Sequence, residues 1–304
     1  MPRPAPNRPL NPRRIGVIAM HTFTQLVRMK VFYFLGIFAL ILVASNLLKI
    51  ETITRPNLEG MEMLRSIRSS SLAVMTIFSI VFGVSATALL LPKDIEDRTL
   101  YTILAKPVPR LDYLIGKLAG VLLLLFVSLL VMDLLMTGVL AVRSHFVIEA
   151  QTASALKAGW AADQVDAMRR DTLLHGPTWH LQGAVLAVFL RSAVMASAAL
   201  MLSVVSTSTL FTIITGFVVY FIGNFQAEAR SVYFDSNGVN VMERLAGLAV
   251  ATIFPDFQLF NVIDAIIEGK PMPPDILAMI CGVTAFYVVL HVFVSWLLFS
   301  KKEF

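Results

Sequence analysis

The sequence predicts an all-α polytopic membrane protein with six transmembrane helices, an N-terminal interfacial helix and one short helix on the cytoplasmic side. Composition is the first ground. Of 304 residues 57% are hydrophobic and only 15% charged, with a mean hydropathy of +0.76, a balance that leaves too little polar surface for a soluble globule. The second is length, because six stretches approach the roughly 20 apolar residues that a helix needs to cross a hydrocarbon core. The third is the distribution of Lys and Arg, which alternates along the chain as the positive-inside rule requires.

In chain order, residues 1–13 are rich in Pro, Arg and Asn and read as a disordered tail. A single transmembrane domain then occupies 14–304. Residues 14–30 have Ile15, Ile18, Phe23 and Leu26 broadly on one face and His21, Thr24, Gln25 and Arg28 on the other, the pattern of an interfacial helix; an N-terminal extension of the first span is the alternative. Residues 31–48, 72–91 and 118–142 are the first three spans. Residues 181–206 and 209–225 form a hairpin turning at Ser206–Thr209, and 276–300 are the sixth span. The stretch 245–267 is apolar only at its start and is broken by Pro255 and Asp256, so it reads as interfacial or re-entrant.

Between the second and third spans, 92–113 form a charged segment that opens on Pro92. Asp94 stands three residues before Asp97 in a capping-type arrangement, and Leu100, Ile103 and Leu104 share a stripe before Lys106–Arg110 turn the chain. A short helix with a charged tip is expected there; a plain solvated loop is the other reading.

Lys and Arg number six in residues 1–30, five in 92–117 and two in 301–304, against four, four and three in 49–71, 143–180 and 226–275, which together are nearly twice as long. Both termini are therefore expected in the cytoplasm, and 143–180 and 226–275 outside it. No cleavable signal peptide is expected at the Pro- and Arg-rich start. The lone Cys281 allows no intrachain disulfide. The pI of about 9.4 is explained by basic groups facing anionic lipid and calls for no nucleic acid. In 143–180 a helix is expected around Ser154–Asp171, with Asp166 and Arg170 as an i, i+4 pair, lying on the membrane or docking an extracytoplasmic protein.

Two ionisable residues fall inside the spans, Asp133 and Arg191. Charges in hydrocarbon are costly and usually paired or functional. Counted from the expected outer ends of their spans the two lie at similar depth, which predicts an ion pair; a substrate-contacting charge is the alternative. His175 and His180 are spaced i, i+5 with no acidic or cysteine neighbours, and make no metal site. His291 reads as a bonded packing residue. Gly116 and Gly120, and the small residues Gly83, Thr87, Ala88, Ala193, Ala196, Ser197 and Ala199, permit close helix packing. An intramembrane enzyme would need paired reactive groups at one depth, and the spans offer none. No phosphate-binding G-x-x-x-x-G-K-[ST] occurs.

The run Glu96, Arg98, Thr99, Leu100, Leu104, Lys106-Pro107, Arg110, Tyr113, Gly116, Lys117 resembles the signature after the second span in ABC-2 type permeases. Arg28 with Phe32–Phe34, Phe254-Pro255-Asp256-Phe257 with Phe260-Asn261, and the basic end Lys301–Phe304 are similar to that family's other landmarks. The subgroup that includes permeases of nitrous-oxide-reductase maturation and of gliding motility is the nearest in pattern. Arg98 departs from the glycine common there, and 143–180 is longer than the usual link. The resemblance implies a permease subunit in the bacterial cytoplasmic membrane, working with a second permease copy as homodimer or heterodimer. It implies no cofactor on this chain and no enzyme activity of its own, ATP and Mg being held by a separate ABC ATPase subunit. That subunit would dock on a coupling helix at 93–105, where Glu96, Asp97, Arg98, Thr99, Leu100, Ile103 and Leu104 are the expected contacts. Substrate export is the implied function; an ATPase-driven mechanical or assembly role on an extracytoplasmic partner is the alternative.

Overall fold

The computed structural model describes residues 10–45, 60–96, 108–206, 208–235, 242, 254–268, 270 and 272–301, and among them every regular element is helical. The helices are α1 (Pro12–Val27), α2 (Lys30–Ser45), α3 (Met61–Glu96), α4 (Arg110–Lys157), α5 (Ala162–Leu174), α6 (Trp179–Val205), α7 (Thr209–Asp235), α8 (Ile263–Ile267) and α9 (Pro274–Lys301), with a 3₁₀ turn at Phe257–Phe260. Among the described residues five stretches are long and apolar enough to cross a membrane: Met61–Pro92, Arg110–Lys157, Ala162–Val205, whose apolar part is α6, Thr209–Ala227 and Pro274–Lys301. The expected first span corresponds to α2, which has 16 described residues, short of the roughly 20 that a crossing needs.

Helices α3, α4 and α6 form the centre of the bundle. Two thirds of the most apolar window of α3 and of the α6 stretch is buried, against 22% for α7 and for α9, which flank α6 and leave side chains such as Phe221, Phe225, Phe286 and Val289 outward. The α3–α6 contact is made by small residues: Thr87, Ala88, Ala193, Ala196, Ser197 and Ala199 are buried, and an added methyl at Gly83 would sit 3.7 Å from the Ser192 carbonyl. Thr87, Ser197, Ser203 and, on α9, Thr284 donate to carbonyls three or four residues earlier, and Ser197 also meets His291 of α9.

Several helices outrun their expected limits. The second span was expected at 72–91, but α3 is one helix from Met61 through Pro92 to Glu96, so Asp94 lies in its last turn rather than at the start of a new helix. The third was expected at 118–142, but α4 continues to Lys157, a length of about 72 Å at 1.5 Å per residue against a hydrocarbon core of about 30 Å. The expected helix at Ser154–Asp171 is in fact the end of α4 and most of α5. The break is a Schellman motif: Gly159 adopts φ +76°, its N–H donates to Leu156, and the Trp160 N–H donates to Ala155. Helix α5 then folds back on α4, burying Val165 and Thr172. The expected Asp166–Arg170 pair is not among the ion pairs of the described residues. The hairpin turn is as expected, with α6 ending at Val205 and α7 starting at Thr209, where Ser208 Oγ accepts the Phe211 N–H.

Helix α1 is separate from α2, ending where Arg28 caps onto Thr24 and Leu26. It packs lengthwise on α4 across Gly116 and Gly120, one turn apart on one face. A methyl at Gly116 would lie 2.7 Å from Ile18 Cβ, and one at Gly120 2.6 Å from Thr22 Cβ and 2.7 Å from the Ala19 carbonyl. This G-x-x-x-G therefore serves a contact within the chain. Gly120→Leu is expected to force α1 off α4, lowering the thermal unfolding midpoint and speeding hydrogen exchange in residues 15–22, because overpacking against backbone costs about 1–3 kcal/mol or more. Gly138→Leu on the same helix, where nothing lies within 4 Å, should leave both readouts unchanged.

Candidate functional site

Three polar clusters lie in an otherwise apolar bundle. The first is where α3 ends and α4 begins, the cytoplasmic end on the expected topology. Asp94 Oδ2 on α3 accepts from Lys117 Nζ at 2.7 Å and from the Tyr113 hydroxyl at 2.5 Å, both on α4 and one turn apart. All three side chains are buried. Lys117 also reaches Gln25 Oε1 on α1 at 3.4 Å, and its ammonium lies 5.7 Å from the Tyr113 ring centre. Next to them Arg14 Nε on α1 pairs with the buried Asp112 at 2.8 Å.

The Tyr113 ring stacks on Phe299 of α9, with centres 6.0 Å apart and planes 12° apart. Arg110 donates from Nη1 to the carbonyls of Phe299 and Ser300, both at 2.6 Å. A cation at a helix C-terminus complements both the orphan carbonyls and the helix dipole. Four helices thus meet at one buried cluster. A buried ion pair of this kind gives little net stability, but removing one partner leaves an uncompensated charge and costs about 3–5 kcal/mol.

This cluster flanks the expected ATPase-contact segment on both sides. Glu96 is the last residue of α3; Asp97, Arg98, Thr99, Leu100, Ile103 and Leu104 lie outside the described residues.

The second cluster corrects the expected intramembrane ion pair. Asp133 on α4 accepts from Gln182 Nε2 on α6 at 3.2 Å, not from Arg191. Gln182 precedes Arg191 by nine residues on α6, a rise of about 13.5 Å, so the acid and the base sit at different levels. The depth estimate failed because it took Val142 as the outer end of a helix that continues to Lys157. Arg191 instead donates to Asn224 Oδ1 and to the Tyr220 hydroxyl at 3.2 Å. Its guanidinium carbon lies 5.1 Å from the Tyr220 ring centre and 5.5 Å from that of Phe257. Two aromatic faces and two neutral acceptors replace the carboxylate. Asn224 in turn accepts at its carbonyl from Gln258 Nε2 at 3.0 Å. Arg191 thereby ties α6, α7 and the Phe254–Phe260 segment together.

The third cluster, at the opposite end, was not anticipated. Arg68 of α3 is fully buried and donates to the carbonyls of Ile266 at 3.2 Å, Leu174 at 2.9 Å and Gly176, and to Thr178 Oγ1 at 3.2 Å. Leu174 and Ile266 are at the C-terminal ends of α5 and α8, so one guanidinium caps two helices. One turn earlier, Arg65 Nε donates to His175 Nε2 at 2.9 Å, while His175 Nδ1 faces the Asp171 carbonyl at 3.0 Å. Arg65 and Arg68 were counted only as loop charges; their i, i+3 spacing ahead of a span was the available signal. His291 is buried and bonded to Ser197 Oγ at 2.9 Å, as expected. Among the described residues no three His, Cys, Asp or Glu side chains are arranged to hold a metal ion.

Residues 23–162 match a family model described as ABC-2 family transporter protein, a stretch that runs from α1 across the inner cluster to the end of α4. No curated protein matches the chain. The match covers less than half of the chain, and together with five apolar helices of spanning length among the described residues it supports a multi-pass membrane protein.

Arg191→Gln and Asn224→Ala, combined, should lower the unfolding midpoint by clearly less than the sum of the single changes. Arg191→Gln with Asp133→Asn should be additive within about 0.3–0.5 kcal/mol; an interaction energy above 1 kcal/mol in the second cycle would contradict the geometry. Arg68→Met should cost about 3 kcal/mol or more, since several buried acceptors lose their donor at once, and should raise hydrogen exchange in residues 172–178 and 263–268.

Proposed function

We propose that the chain is the membrane-spanning permease of an ATP-binding-cassette transporter, in which hydrolysis on a separate ATPase subunit drives substrate export across the bacterial cytoplasmic membrane. The observation that carries this reading is the family match over 23–162, which includes the charged segment between α3 and α4. A second permease copy completes the membrane path, as homodimer or heterodimer, and ATP and Mg belong to the ATPase. Both termini face the cytoplasm. Glu96, Asp97, Arg98, Thr99, Leu100, Ile103 and Leu104 contact the ATPase, the apolar residues supplying docking area and the charges orientation. The subgroup of nitrous-oxide-reductase maturation and gliding-motility permeases is the nearest in pattern.

A second reading is favoured by one feature. Helix α4 continues 15 residues past Val142, about 22 Å at helical rise, and α5 folds back along it. Such a hairpin suits an ATPase-driven component that acts on an extracytoplasmic protein without bulk transport.

Purification in mild detergent from a host that also produces the candidate ATPase subunits tests the common premise. The wild-type chain should retain an ATPase, and a Glu96→Lys, Leu100→Asp variant should lose it while keeping its unfolding midpoint. An ATPase absent from the wild type, or held equally by a folded variant, overturns the docking assignment. Nucleotide-dependent flux in sealed vesicles then separates transport from mechanical work.

A further inference from the structure

Asp94 stands three residues before residue 97, and Arg110 three residues after residue 107. The ends of α3 and α4 that flank this stretch are held to each other by Asp94, Tyr113 and Lys117 at 2.5–2.7 Å. The α4 residues Arg110, Tyr113 and Lys117 also reach the last turn of α9 and the α1 side chain Gln25. The partners come from four helices, all beside one short segment. We propose that the Asp94–Lys117–Tyr113 cluster is a transmission joint, a set of positioning residues that makes the ends of α1, α3, α4 and α9 move as one body when the 97–107 segment is displaced. The inference rests on the permease reading above.

The physical case is one of direction and place. Apolar packing alone would hold these helix ends together as well, and without the desolvation that burying two charges entails. Ionic and hydrogen-bonded contacts add what apolar contacts lack, a fixed register: Asp94 Oδ2 has one geometry in which it meets both Tyr113 Oη and Lys117 Nζ, so α3 cannot slide or rotate on α4 without breaking both bonds. Lys117 and Tyr113 are successive turns of one helix face, and Phe299 covers the Tyr113 ring, so α9 follows α4. Arg110 holds the backbone of α9, whatever side chains lie there. A displacement applied between Glu96 and Val108 therefore reaches all four helices instead of being absorbed by slip between two.

The test separates the joint from simple stability. The complex of the chain with the ATPase that co-purifies with it is prepared in a Cys281→Ser background with Lys301→Cys on α9, inside the joint, and Leu210→Cys on α7, outside it, both exposed positions. Both carry spin labels. Distances are measured without nucleotide and with Mg-ATP and vanadate. The wild type should show a nucleotide-dependent shift. Asp94→Leu, Lys117→Met removes both charges at similar volume, so it should fold, keep the ATPase and hydrolyse ATP, yet lose at least half of that shift. Asp94→Asn, which strands Lys117, should lose it too; if that variant fails to fold, the apolar pair still decides. Tyr113→Phe keeps the Phe299 stacking and should give an intermediate loss. A double variant with bound ATPase and an undiminished shift overturns the joint alone. A wild type with no bound ATPase, or with ATPase but no shift, overturns the joint together with the coupling that it presupposes.

Discussion

Inside a bilayer the lipid tails are as apolar as leucine, so burial of apolar surface does not pull helices together, and the bundle must be held by close backbone approach and by a few polar contacts. That constraint accounts for most of what is observed. The α3–α6 centre is built from Ala, Ser, Thr and Gly, and α1 lies on α4 where Gly116 and Gly120 remove the side chains between them. Large apolar residues, by contrast, are numerous on the outward faces of α2, α4, α7 and α9, where they need only suit lipid. Thr87, Ser203 and Thr284 bond within their own helices and so specify no partner, whereas Ser197 also meets His291 of α9.

What specifies partners is therefore the small set of charged side chains, and each cluster uses a different solution to the cost of burying a charge. At the inner end a carboxylate and an ammonium neutralise each other, with a phenol as second donor. Midway along α6, Arg191 has neutral acceptors and two aromatic faces. At the outer end Arg68 is surrounded by backbone carbonyls of helix C-termini. In every case one side chain contacts two or more elements, so few charges suffice to order many helices.

Counting apolar windows located the membrane-crossing parts of α3, α4, α6, α7 and α9, because that signal depends on hydrocarbon alone. It misjudged where helices end. Arg143, Ser144 and His145 close the apolar window of α4, but a helix beyond that window needs only something to pack on, and α5 supplies it: Thr172 Oγ1 donates to Gln151 Oε1 at 3.1 Å, and Ala155 and Val165 are buried. Gly159, the one glycine between these helices, was the legible stop signal. The Asp133–Arg191 error followed from the misplaced end, since depth was counted from it. The inner cluster was legible in the sequence, since Asp94 and Lys117 are close to the facing ends of two consecutive spans and opposite in sign. Arg68 was not legible, because its acceptors are backbone carbonyls, which every residue carries.

Helix α3 carries a polar cluster at each of its ends. Arg68 and Asp94 are both on α3, 26 residues and about 39 Å apart along a helix with no break between them. At its inner end α3 is fixed to α4 by side-chain contacts that require particular partners; at its outer end it is fixed to α5, α8 and the 174–178 turn through their backbone, by several bonds from one guanidinium. An attachment to carbonyls tolerates sequence change in the capped helices, and its several bonds resist rotation of α3 beneath them. An unbroken α3 that moved as a rigid body from Asp94 would carry with it the Arg68 contacts to Leu174, Gly176, Thr178 and Ile266.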